Sequence, residues 1–147
     1  MDYAHLHLMI NHIPVIGLGF AAALLIYAMA KKNEELKKAS LWAFLIIALA
    51  AIPVNITGEM SEDAVEKLPG VSEAIIEKHD HMAFLALIGM EILGVIAAAG
   101  LLISRRGGII NRSVMVALLV VSIAAAGLVG NTAYLGGQIR HTEIRGG

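Results

Sequence analysis

Apolar residues fill four uninterrupted stretches, about residues 8–30, 39–57, 82–103 and 114–135, and polar residues are gathered between them. A helix needs roughly 20 apolar residues to cross a hydrocarbon core about 30 Å thick, and each stretch meets that length. None shows the two-residue alternation of a barrel strand, and all are rich in Ala and Leu, so helices are expected. The expected fold class is all-α: an integral membrane four-helix bundle forming a single domain over the 147 residues. The first stretch is expected to be a retained span. No basic residue precedes it, it is long for the core of a signal peptide, and no small-x-small cleavage site follows.

The segments between the runs give an orientation. Lys31, Lys32, Lys37, Lys38, Arg105, Arg106 and Arg112, seven of the eleven Lys and Arg residues, lie in the two short loops. The positive-inside rule then places those loops in the cytoplasm, with both termini and the longer loop on the outer, periplasmic side of a bacterial inner membrane. That longer loop, residues 59–80, carries Glu59, Glu62, Asp63, Glu66, Glu73, Glu77 and Asp80. Ser61 with Glu62 and Asp63 resembles a helix start, and Leu68-Pro69-Gly70 a break. Val71 to Lys78 suits an amphipathic helix leading into the third span. The acidic loop is either a solvated cap or a docking face for a basic electron carrier.

Composition agrees, with 58% hydrophobic and 16% charged residues and a mean hydropathy of +0.76. There is no basic stripe for nucleic acid. The absence of cysteine excludes disulfides, iron–sulfur clusters and c-type haem attachment. No internal repeat is evident in the sequence.

The chemistry-bearing residues collect at one end. His5, His7 and His12 open the first span, His79 and His81 precede the third, and His141 follows the fourth. Four antiparallel spans bring all six to the same membrane face. His7 and Asn11, four apart, share a helix face, whereas His7 and His12 point about 140° apart. Pro14 frees the carbonyl of Ile10, and Pro53 that of Leu49. The second span is expected to stop at Gly58 and the fourth at Gly136-Gly137; if the fourth helix persists past those glycines, Gly127, Gly130, Asn131, Tyr134, Gln138 and His141 form a small-then-polar stripe expected to face the bundle interior. Glu91 lies deep in the third span, where a charged carboxylate is costly without a partner. Imidazoles facing one another in a helical bundle are a means of holding haem iron, and Arg140, Arg145 and Lys78 would suit haem propionates. A copper or non-haem iron site, with Met9 and Met82 nearby for copper, is the alternative.

Four segments carry a family resemblance: His7-Leu-Met-Ile-Asn-His12-Ile-Pro14, Ala51-Ile-Pro-Val-Asn-Ile-Thr-Gly58, Glu77-Lys-His79-Asp80 and Leu135-Gly-Gly-Gln-Ile-Arg-His141. In order and spacing the chain resembles the small four-helix bacterial membrane proteins of the domain of unknown function 2231 family. It departs from their opening motif at Leu8, where Pro is usual, and at Ile13, where Phe is usual. The resemblance covers essentially the whole chain and implies a histidine-bearing membrane module for haem b or another redox metal. It makes His7, His12, His79 and His141 the family positions and His5 and His81 extras.

The expected function is electron transfer by a cytochrome b-like protein. One or two haems would be ligated by His7, His12, His79 and His141, with Asn11, Asn131, Tyr134, Glu91 and Arg140 as further cofactor contacts. Asn55, Glu91, Asn131 and Tyr134 also suit a quinol pocket. Expected partners are the lipid bilayer, quinol and a soluble or membrane redox protein, in a homo-oligomer or a larger complex. A copper- or iron-handling protein and a cofactor-free assembly subunit are the alternatives.

Overall fold

The computed structural model describes residues 2–141 and Arg145. Among these residues the secondary structure is helical throughout: α1 (Tyr3–Ile10), α2 (His12–Lys31), α3 (Glu34–Glu59), α4 (Glu62–Glu66), α5 (Glu73–Arg105) and α6 (Arg112–Arg140). Four stretches are long and apolar enough to cross a membrane: α1 together with α2, then α3, α5 and α6. The helices extend beyond the apolar runs at both ends, because amphipathic flanks such as Glu34 to Lys38 continue the same backbone geometry. Lys37 and Lys38 pair one turn back with Glu34 and Glu35 at 2.6 and 2.8 Å.

Neighbours in sequence are neighbours in space. α2 packs on α3, α3 on α5 and α5 on α6, while α6 closes the bundle against α2. The start of α1, the end of α3, the short helix α4, the start of α5 and the end of α6 therefore share one end. The short connections at 32–33 and 106–111 share the other. Side chains set the starts of α1, α3 and α6: Asp2, Asn33 and Asn111 each accept from a backbone N–H three residues on, at 2.8, 3.0 and 3.0 Å. Gly107, at φ 78°, turns the chain out of α5 with a backbone that side-chain-bearing residues rarely adopt.

Packing is inverted relative to a water-soluble bundle. The interior uses small residues, including Ala21, Ala28, Ala48, Ala97 and Ala125, around Phe44, Met90 and Leu93. The exterior carries large apolar ones such as Ile16, Phe20, Trp42, Ile46, Val95 and Ile123. Lipid is as apolar as leucine, so hydrophobicity gives little drive for helices to associate, and close backbone approach takes its place. Gly94 marks one such approach: a Cβ there would come within 2.7 Å of the Ala48 Cβ.

Two expectations about α6 are corrected. Gly136 and Gly137 do not end the helix, which runs on to Arg140. The stripe of Gly127, Gly130, Asn131 and Tyr134 faces outward, not inward. The contact face is set by Met115, Leu118, Ser122, Ala125 and Val129, which recur every three or four residues on the opposite side. A Cβ on Gly127 or Gly130 would meet nothing within 4 Å.

Candidate functional site

Of the six histidines, the fold turns two inward. His7 on α1 and His79 on α5 are half-buried, while His5, His12, His81 and His141 are exposed. The exposure of His12 follows from the angle that separates it from His7 on a continuous helical path.

The two inward imidazoles are held alike. His7 Nδ1 donates to the carbonyl of Val54 on α3 at 2.9 Å, and His79 Nδ1 donates to the carbonyl of Thr132 on α6 at 2.9 Å. Four residues after each carbonyl comes a glycine, Gly58 after Val54 and Gly136 after Thr132. A Cβ on Gly58 would lie 3.2 Å from His7 Cε1, and one on Gly136 would lie 3.1 Å from His79 Cε1. Positions four apart stack on one helix face, so the missing Cβ opens space beside the carbonyl that the ring uses. Neither glycine has a positive φ; what it supplies is room. The pattern histidine, carbonyl, glycine one turn on therefore occurs twice, once in each half of the chain. No repeat in the sequence announces it.

This geometry decides the tautomer. A carbonyl only accepts, so Nδ1 carries the proton and Nε2 keeps its lone pair in both rings. The hydrogen bond also fixes the ring plane, as the supporting contacts of metal-binding histidines do. Thr57 reinforces the first seat: its hydroxyl donates to Pro53 O at 2.8 Å and lies 3.5 Å from His7 Nδ1.

Other expected site residues are placed as follows. Asn11 sits at the seam between α1 and α2, one turn from His7, with its Oδ1 buried and without a hydrogen-bond partner. One oxygen of Glu91 is likewise buried and unpartnered. Asn55 donates to Glu59 at 2.7 Å. Asn131, Tyr134 and Arg140 are exposed, which separates Asn131 and Tyr134 from an interior pocket. Met9 is exposed and Met82 half-buried. Arg145 spends its guanidinium on the carbonyls of Gln138, Ile139 and Gly70, at 2.7, 2.8 and 2.7 Å, clasping the end of α6 to the turn before α5. Among the described residues no three His, Asp or Glu side chains gather to hold a metal ion.

The acidic loop lies over the same end. Ser61 is buried and donates to the carbonyl of Gly58 at 2.7 Å, so the glycine beside His7 also anchors the approach to α4. α4 touches both α1 and α5. Burial, and then the neighbouring Asp80, Glu66, Asp63 and Glu59, push the Glu62 carboxyl above its ordinary range. The folded protein thus holds the Glu62 proton more tightly than the unfolded chain does. The resulting stability is present at low pH and is lost as pH rises from the ordinary glutamate range through the raised value. Glu62→Gln is accordingly expected to raise the melting temperature at neutral pH and to leave it nearly unchanged at about pH 4. Thermal unfolding in detergent at the two pH values checks this.

The fold and site together define a small four-helix membrane protein with a pair of interior histidines seated on glycines near one end. Residues 4–143 match the family described as predicted membrane protein (DUF2231), and the chain belongs to that family. No curated protein and no solved structure gives a significant match.

Proposed function

We propose that this protein is a cytochrome b-like electron carrier in which His7 and His79 would hold one haem b. The observation that carries the reading is the duplicated seat: two imidazoles from different spans, each fixed at Nδ1, each keeping the Nε2 lone pair. Two nitrogen ligands from separate helices are what a haem iron lacks once its porphyrin is in place. A haem so held would supply a one-electron couple. His7 and His79 bind and orient, the Val54 and Thr132 carbonyls keep the Nε2 lone pairs available, and Gly58 and Gly136 let the rings lie against the backbone. Of the four expected ligands, the reading takes the half-buried His7 and His79, since His12 and His141 are exposed. A bare copper or iron ion is a weaker fit, since these two imidazoles have no third His, Asp or Glu gathered beside them among the described residues.

Seven basic residues around the short loops favour termini facing outward from a bacterial inner membrane. The site then lies near the outer face, suited to passing electrons between quinol and an external acceptor, with the acidic loop available to a basic redox protein. Titrating the haem-free protein with haemin tests the reading. Saturation at one equivalent per chain, with a low-spin spectrum, is expected; no uptake would overturn it.

A further inference from the structure

Among the described residues, Asn11 is a polar side chain one turn from His7 whose placement the helices themselves leave unexplained. It occupies the position before α2 where asparagine ordinarily caps a helix, yet its side chain makes no capping bond. Two causes are visible. Its backbone is helical, at φ −61° and ψ −23°, so it continues from α1 instead of turning outward. The third residue of α2, whose N–H a cap would accept, is Pro14, which has none. The Asn11 N–H bonds to the His7 carbonyl at 2.9 Å, so the two residues stand one turn apart on the same face. Helical side chains lean toward the preceding turn, so Asn11 leans toward His7.

The result is a carbonyl-type oxygen, buried and unpartnered, on the residue one helical turn from an imidazole whose Nδ1 is held by the Val54 carbonyl. Leaving such an oxygen unpaired is destabilising, and a buried orphan in a native fold calls for a cause. A positive charge at His7 would be one. In a low-dielectric interior the negative end of a fixed dipole acts on a nearby cation with little screening.

We infer that Asn11 belongs to the histidine site, where its buried Oδ1 stabilises positive charge on the group held by His7 and His79 and so favours the oxidised haem over the reduced one. The inference rests on the haem reading above. It assigns Asn11 an electrostatic role in place of ligation: the residue sets the charge preference of the site and is dispensable for holding the cofactor.

The test compares wild type, Asn11→Leu and Asn11→Gln, each loaded with haemin, by reduction potential and by haem affinity. Asn11→Leu removes the dipole at similar volume. It is expected to raise the potential, shifting the ratio of ferric to ferrous affinity by about tenfold, while haemin still saturates the protein. Asn11→Gln keeps the carboxamide and should stay nearer wild type. The haem-free Leu variant should be at least as heat-stable as wild type, because the orphan is gone, and this separates tuning from damage to the fold. Haemin bound by all three proteins at one common potential would overturn the role of Asn11 and leave the haem reading standing. A wild-type protein that takes up no haemin would overturn both.

Discussion

Alanine at His7 or at His79 is expected to abolish the haem b spectrum, whereas alanine at His12 or at His141 leaves it intact. The first pair is half-buried and fixed at Nδ1 by the carbonyls of Val54 and Thr132. The second pair is exposed on the helix surfaces. Loss of an axial ligand should weaken haemin binding by more than the ~10–100-fold that loss of a supporting contact typically costs a metal site. Haemin titration of the four variants, with helicity followed in parallel, separates ligand loss from unfolding. Equal loss from all four variants would favour a second haem. No loss from either inward variant would remove the ligand assignment.

Leucine at Gly136 or Gly58 should have the next largest effect, and in opposite directions on binding and on helix stability. Even a Cβ would stand 3.1 Å from the His79 ring or 3.2 Å from the His7 ring, and a longer side chain has to displace the imidazole from its carbonyl. Haemin affinity should fall by roughly 10–100-fold as the ring loses its fixed tautomer and orientation. Helix propensity changes the other way, most clearly at Gly136, since glycine is roughly 0.8–1.0 kcal/mol less favourable than alanine in a helix interior and leucine ranks next to alanine. A variant that binds haemin poorly yet keeps wild-type helicity is therefore the expected outcome. Leucine at Gly127, where a Cβ would meet nothing within 4 Å, provides the control and should bind haemin normally.

The spans were legible in the sequence because a membrane leaves few alternatives: four apolar runs of that length read as helices almost irrespective of detail. The loop was legible through its turn chemistry, with α4 beginning after Ser61 and a break at Leu68-Pro69-Gly70, where Gly70 adopts φ 79°. The placement of the histidines toward one end of the bundle was legible. The angle between His7 and His12 showed that one helix face cannot present both, but only tertiary packing determines which one turns inward. The reading of α6 failed for a related reason. Its two faces are both apolar or small, so periodicity does not distinguish Gly127 and Gly130 from Ala125 and Val129, and the neighbouring helix decides. Least legible were the partners of the imidazoles. Backbone carbonyls leave no trace in residue type, and Gly58 and Gly136 read as helix stops when they are seats for rings.

The visible spectrum of the detergent-purified protein, oxidised and then reduced with dithionite and expressed in cells that make and insert haem, tests the central claim most directly. A b-type spectrum, with a pyridine haemochrome yield of one haem per chain, is the predicted result. A colourless protein from such cells would contradict it.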